Sequence, residues 1–249
     1  MTAADVVLLA AAGVVTGAIN AVAGGGSLVS FPALLATGYG PLVANVTNLI
    51  ATLPGYVSAA ASSHPDLAGQ GPRVRALSAA AAAGAVVGTT LLLIGPENLF
   101  ATLAPWLVLL ACALLALQPV VSRWVTRAHP HHPAPTRLVA TVGVASVYGG
   151  YFGAGLGIVL LAAMALALDE DLRQINAVKQ MLSLTIAAVS AVAVAVFGPV
   201  AWSAALLVGA GTLVGGRVGV GVARRLPEPV LRGAVIALGV TVAVVLLVR

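Results

Sequence analysis

Charged residues are scarce in this chain of 249 residues, where Asp, Glu, Lys and Arg together make up only 8%. A soluble domain carries about 25% charged residues, so this composition excludes an ordinary soluble protein. The single cysteine, Cys112, excludes an internal disulfide. The sequence also has no nucleotide-binding loop and no set of nucleophile, base and orienting acid. We therefore predict a protein that is not an enzyme and needs no cofactor.

Apolar residues fill most of the chain: 60% are hydrophobic and the mean hydropathy is +1.08. Runs of about 20 apolar residues, enough to cross a hydrocarbon core of about 30 Å, follow one another with short breaks. The sequence thus predicts an all-α polytopic integral membrane protein. Its predicted segments are residues 5–23, 27–37, 41–61, 75–94, 99–121, 138–152, 158–168, 174–197, 202–222 and 230–248.

Two glycine-rich runs, residues 20–27 and 149–157, interrupt what would otherwise be continuous apolar helices. Broken helices in matching positions are typical of the binding site of a transporter. A short helix begins after each break, and its free N–H groups and dipole attract an anion. Ser27 is the expected N-cap of the first short helix.

The two halves of the chain match after a shift of 131 residues. This shift places Gly24 on Gly155 and Asn45 on Asn176. Asparagine occurs only five times in the chain, so its match carries more weight than matches of alanine or leucine. The sequence therefore predicts a duplication, with a first transmembrane repeat (1–121), a cytoplasmic linker (122–137) and a second transmembrane repeat (138–249).

The basic residues predict how the repeats are oriented. Most Lys and Arg residues lie in connections that we assign to the cytoplasm, whereas residues 95–98 and 198–200 carry none and are assigned outside. The cytoplasmic and outside assignments are consistent with one another if each broken segment forms a hairpin that is followed by three transmembrane helices. The repeats then have inverted topology, and both termini are extracytoplasmic. The net charge of +5 reflects this orientation rather than nucleic-acid binding.

Polar residues inside the spans are the next indication of a site, because their burial in a membrane is costly. Lys179 lies within a predicted span, where its charge would neutralise an anionic substrate. The alternative is that its long side chain reaches the cytoplasmic surface. Asn45 and Asn48 are three residues apart and share a helix face. The predicted substrate-binding residues are Asn20, Gly24, Gly25, Gly26, Ser27, Asn45, Asn48, Gly155, Asn176 and Lys179.

Other features favour structural roles. Tight helix packing is the alternative explanation of the glycine breaks, and we favour it for the pairs Gly84–Gly88 and Gly215–Gly219. The three histidines of residues 129–132 alternate with prolines and have no cysteine or carboxylate companions, so no metal site is predicted. The acidic residues 169–171 precede a helix and complement its dipole.

Residues 17–34, with the sequence GAINAVAGGGSLVSFPAL, and residues 44–48 resemble the first repeat of the TauE/SafE sulfite exporter family. The second repeat is similar through residues 148–157 and 176–179. It differs at Ser183, Thr185 and Ala187, where family members often carry further asparagines. The resemblance implies an inner-membrane carrier that moves small sulfur-containing anions, such as sulfite, sulfonates or sulfoacetate, without ATP.

Together these patterns predict a secondary transporter that exports small anions by alternating access. Its partners are then the anionic substrate and the lipid bilayer, with no nucleic acid, and a homo-oligomer is compatible with the sequence. Two alternatives stay open. One is a non-transporting membrane subunit of a larger complex, and the other is a passive anion channel.

Overall fold

The computed structural model describes residues 1–22, 24–67, 69–127, 135–165, 172–223 and 228–248. Within these ranges the chain forms α-helices, one short 3-10 helix (His64–Leu67) and no strand. The helices are α1 (Ala3–Val22), α2 (Ser27–Ala36), α3 (Pro41–Ala51), α4 (Leu53–Ser63), α5 (Gly71–Ile94), α6 (Glu97–Arg127), α7 (Pro135–Tyr151), α8 (Leu156–Ala165), α9 (Leu172–Phe197), α10 (Trp202–Ala223) and α11 (Glu228–Val248).

Several of these helices have the length and composition of membrane spans. In the described ranges, four stretches qualify: Ala3–Ala21, Gly71–Ile94, Glu97–Val120 and Gln174–Phe197. The short helices α2 and α8 each follow a glycine break, as the sequence predicts. The prediction of an all-α polytopic membrane protein is confirmed.

Thr52 divides the predicted span over residues 41–61 into α3 and α4, but it keeps helical dihedral angles and donates its N–H to the Asn48 carbonyl at 3.0 Å, so the span is kinked at this point. Pro54 lies in the first turn of α4, where its missing N–H costs no helical hydrogen bond. In the middle of a continuous helix the same proline would remove a bond and clash with the preceding turn. Apolar length alone did not reveal this kink.

The connection between α6 and α7 is shorter than the predicted linker of residues 122–137. Helix α6 continues to Arg127 and α7 begins at Pro135. The three histidines of this segment, like the acidic residues 169–171, lie outside the described residues.

Helices α1 and α10 pack against each other through small residues. A methyl group built on Gly13 would lie 3.0 Å from the Cα atom of Gly211, and one on Gly17 would lie 2.8 Å from the amide nitrogen of Gly216. Residue numbers rise together along this contact, so α1 and α10 run parallel. Side chains larger than hydrogen at these positions would force the backbones apart.

Helices α5 and α7 form the corresponding contact. Here the hairpin helix, α7, comes from the second half and its partner, α5, from the first half. Gly84 packs against the backbone of Gly143, and Gly88 against that of Val147. This pair also runs parallel. The packing role predicted for Gly84 and Gly88 is therefore confirmed. The same role is confirmed for Gly215, which lies against Val14, whereas the surroundings of Gly219 are not described.

Two further contacts join counterpart segments of the halves in opposite directions. The Val46 side chain of α3 lies near Gly198 at the end of α9, whereas Tyr56 of α4 shares a cavity with Ser183, earlier in α9. Helices α6 and α11 behave likewise, since Ala101 lies near Leu246 and the Cys112 sulfur lies 3.9 Å from the Ile236 carbonyl. Segments α3–α4 and α9, and helices α6 and α11, therefore run antiparallel.

Two buried apolar clusters fill the space between these helices. The larger one joins residues of α1, α2, α3, α6, α10 and α11 and includes Phe31, Phe100 and Phe152. The smaller one joins α5, α7, α8 and α9. The turns of the two hairpins, α1–α2 and α7–α8, thus lie within the protein, where they are shielded from lipid.

Candidate functional site

Each hairpin turn begins with a glycine in the left-handed conformation, which ends the first helix. Gly24 has φ of 80° and donates its N–H to the Ile19 carbonyl at 3.0 Å. Gly153 has φ of 78° and donates to the Tyr148 carbonyl at 3.2 Å. Side chains rarely adopt this conformation, so glycine is required at both positions.

These hydrogen bonds correct the alignment of the two halves at the hairpins. The counterpart of Gly24 is Gly153, two residues before the Gly155 that a uniform shift selects. The shift of 131 still relates the first residues of α5 and α10, Gly71 and Trp202. The halves therefore differ in spacing between their hairpins and later helices, which an ungapped comparison does not detect.

The two hairpin turns meet each other. A methyl group on Gly24 would lie only 2.7 Å from the Cα atom of Gly157, so the backbones touch. Phe31 of α2 packs edge-on against Phe152 at the second turn, with ring centroids 5.5 Å apart. The two breaks predicted from the sequence thus come together in space.

The first turn is held by side chains of α1. Asn20 Oδ1 accepts the Gly26 N–H at 2.8 Å, and the Thr16 hydroxyl donates to the Gly26 carbonyl at 3.1 Å. The expected capping role of Ser27 is wrong, because Gly26 occupies the N-cap position and no side chain of that cap bonds the helix. Asn20 Oδ1 instead binds the N–H of Gly26 itself, while Asn20 Nδ2 has no partner among the described residues.

Amide side chains connect each half to the hairpin of the other half. Asn45 Nδ2 of α3 donates to the Tyr151 carbonyl at the end of α7, at 2.9 Å. Gln180 Nε2 of α9 donates to the Ala21 carbonyl near the end of α1, at 3.2 Å. The oxygens Asn45 Oδ1 and Gln180 Oε1 are buried without a partner in the described part of the chain. The Asn48 oxygen is already engaged, because it accepts a hydrogen bond from the Ser30 hydroxyl.

A small cavity lies between the hairpins and the helices that follow them. Its volume is about 10 Å³, close to the space that one water molecule needs. Ser27, Gly149 and Gly153 contribute from the hairpins, and Thr52, Tyr56 and Ser183 from the later helices; Leu49, Leu156, Ile186 and Ala187 complete the lining.

Lys179 is 2% exposed, so nearly all of its side chain is enclosed by protein. It forms no ion pair with a described residue. Lys179 lies four residues before Ser183 on α9 and therefore shares a face with it. A lysine inside a bundle without a carboxylate partner has lost most of its hydration, and it is charged there only when a counter-charge accompanies it.

Among the predicted residues Ser27 alone lines this cavity, and three of the others face different parts of the structure. Gly25 faces the Leu115 side chain of α6, which would lie 3.4 Å from a methyl group built on Gly25. Gly155 faces Ala111 of the same helix, which would lie 3.7 Å from a methyl group built on Gly155. Asn176 is only partly buried and has no hydrogen bond to a described residue. The structure thus groups Asn20, Gly24, Gly26, Ser27, Asn45 and Asn48 around the hairpin turns, with Lys179 one turn of α9 from the cavity.

Sequence reasoning missed Ser30, Thr52, Tyr56 and Ser183 as site residues. One signal was present, because Thr52 and Ser183 are related by the same shift of 131 residues that relates Asn45 and Asn176. Hydroxyl residues are common in membrane helices, and they are usually satisfied by their own backbone. Thr52, Tyr56 and Ser183 line the cavity, and this position follows only from how the helices pack.

Glycine-broken hairpins that meet inside a bundle of apolar helices are the architecture of a membrane transporter. The comparisons with known proteins agree. The family model of Sulfite exporter TauE/SafE matches residues 9–246, and the chain belongs to this family. A curated relative, the Probable membrane transporter protein ORF9 of Sinorhizobium sp, is 28% identical over 241 residues, which cover 94% of this chain and 88% of the relative. No solved structure matches the chain.

Proposed function

We propose that this transporter exports small anions, with sulfite, sulfonates or related organosulfur compounds as its substrates, by alternating access. The anion binds where the two hairpins meet, between their turns and the face of α9 that carries Lys179. The protein lies in the inner membrane with both termini outside. It acts without ATP.

The burial of Lys179 is the observation that carries this proposal. The side chain is 2% exposed and forms no ion pair within the described ranges. Removing a single charge from water costs several kcal/mol when no partner compensates for it. A bound anion supplies that missing charge.

One unsatisfied donor at the hairpins supports the same position. Asn20 Nδ2 is buried without a partner in the described structure, whereas the other two unpartnered amide atoms, Asn45 Oδ1 and Gln180 Oε1, are acceptors and would bind a proton donor such as water. Such atoms are costly unless something binds them part of the time. A cavity of about 10 Å³ is smaller than any oxyanion, so substrate entry requires the hairpins to separate. The structure therefore corresponds to a closed conformation of the proposed cycle.

The directions of the helix contacts support inverted repeats formed by residues 1–121 and 138–249, joined by the linker 122–137. Counterpart segments α3–α4 and α9 run antiparallel, and so do α6 and α11. A two-fold axis across the helices produces this relation. Two such halves exchange roles when the site opens to one side and then to the other.

Replacing Lys179 with alanine should abolish anion flux in proteoliposomes. Loss of one partner from a buried charge pair costs about 3 kcal/mol or more, which is more than a hundredfold in affinity. Flux of labelled sulfite into proteoliposomes measures the effect. Lys179→Arg, which keeps the charge, should retain part of the flux.

Arg217→Ala is the matched control, because Arg217 is an exposed cation on α10. It should transport like the natural protein. Unchanged flux in Lys179→Ala would remove Lys179 from the site. Saturation and counterflow in the natural protein would exclude a passive channel, whereas no flux by the isolated chain would favour a subunit that works only in a complex.

A further inference from the structure

We propose that the Ser183 hydroxyl donates a hydrogen bond to the transported anion and sets the preference of the site for oxyanions. This inference rests on the proposed function and extends it to a residue that the site did not include. It makes Ser183 a specificity-determining residue of the second half.

Ser183 is buried and its hydroxyl is unused. The residue is 1% exposed, it lines the cavity between the hairpins, and its Oγ has no partner among the described residues. This is unusual inside a helix, where a serine or threonine hydroxyl normally bonds to the carbonyl four residues earlier. Thr185 on the same helix follows the usual pattern, donating to the Met181 carbonyl at 2.9 Å.

The counterpart residue in the first half shows why Ser183 is distinct. Thr52 precedes Ser183 by the repeat shift of 131 and lines the same cavity. Its hydroxyl is already engaged, at 3.0 Å from the Asn48 carbonyl and 3.3 Å from the Leu49 carbonyl. The two halves therefore present unequal hydroxyls, and the unengaged one belongs to the helix that carries Lys179.

The position of Ser183 defines the kind of ligand it would bind. Lys179 and Ser183 are four residues apart, so an ammonium and a hydroxyl donor lie on one stripe of α9. The first turn of α2, with Ser27, faces the cavity from the opposite half. A small anion with two or more acceptor oxygens would satisfy both donors at once. Sulfite, sulfonate and carboxylate groups have this chemistry.

Ser183→Ala should bind sulfite about tenfold more weakly than the natural protein, since a hydrogen bond to a charged ligand is stronger than a neutral one. Removing an unpartnered buried hydroxyl costs the fold little, so the variant should unfold at the same temperature or higher when no ligand is present. Loss of affinity without loss of stability would distinguish a ligand contact from a structural one.

The measurement is thermal unfolding of the purified full chain, titrated with sodium sulfite and, separately, with sodium ethanesulfonate. Ser146→Ala is the matched control, because Ser146 is 0% exposed and its hydroxyl is engaged with the Val142 carbonyl at 2.7 Å. That variant should keep the natural affinity. Ser183→Cys, with a weak donor of similar size, should bind with intermediate affinity.

Each result either supports or overturns the proposed role of Ser183. Weaker binding in Ser183→Ala with undiminished stability supports the inference. Natural affinity in Ser183→Ala overturns it, and so does a variant that is destabilised or unfolded, because either result would make Ser183 a structural residue. If neither salt stabilises the natural protein, both the anion site and this role of Ser183 are rejected. Binding by the natural protein without any effect at Ser183 rejects this inference alone.

Discussion

At the scale of single residues, Gly24 meets two separate requirements. Its φ of 80° disfavours any side chain, and the space beside it is occupied by Gly157. Conformational strain alone costs about 1 kcal/mol or slightly more for an alanine in this region. The contact with the second hairpin adds a steric cost that backbone atoms cannot relieve by changing rotamer.

We expect Gly24→Ala to lower the free energy of unfolding by about 2–4 kcal/mol, because overpacking adds about 1–3 kcal/mol to the strain. Gly38→Ala is the matched control, since Gly38 has φ of 91° but no atom within 4 Å of the place that a methyl group would take. Gly38→Ala should lower the free energy of unfolding only by the cost of conformational strain. Thermal unfolding in detergent compares them, and equal losses in both variants would show that the hairpins do not touch at Gly24.

Two of the scarce asparagines that the sequence singled out lie at the hairpin turns, whereas Asn176 does not. Asn20 and Asn45 hold the hairpin turns, and Lys179 is enclosed near the cavity. Each is costly to bury, so its presence in an apolar run was already informative. Ser183 could not be found this way, because whether a helical hydroxyl is satisfied by its own backbone depends on its rotamer and its neighbours.

At the scale of helices, the glycine pairs decide which helices can approach closely. Gly88 packs against the backbone of Val147 and Tyr151 in α7. We expect Gly88→Leu to prevent this approach and to abolish monodisperse folded protein, because neither backbone can yield. Val87→Leu, on the neighbouring position with 49% exposure, should behave like the natural protein. Size-exclusion chromatography after purification compares the two, and a well-folded Gly88→Leu variant would contradict this packing.

Helix positions were predictable where the residue composition changes sharply along the sequence. Glycine runs marked the hairpins, and apolar length marked α5, α6 and α9. The kink at Thr52 was not predicted, although Pro54 provided a local reason for it. A proline is compatible with either a kinked span or a new helix, and the neighbouring helices decide between them.

At the scale of the whole molecule, the two halves have similar contacts with exchanged partners. Helix α1 packs on α10, whereas its counterpart α7 packs on α5. The sequence predicted the duplication from a uniform shift, but the spacing between hairpin and later helices differs by two residues. Loop charges predict which side of the membrane each connection faces, and this orientation stays a prediction.

The central claim is that an anion binds between the meeting hairpins. An experimental structure of the purified protein in a lipid nanodisc with sodium sulfite tests it most directly. We predict one anion within hydrogen-bonding distance of the hairpin turns and of the Lys179 ammonium, enclosed between the Gly24 and Gly157 turns. An anion bound elsewhere, or hairpin turns that lie apart and face the lipid, would contradict the account.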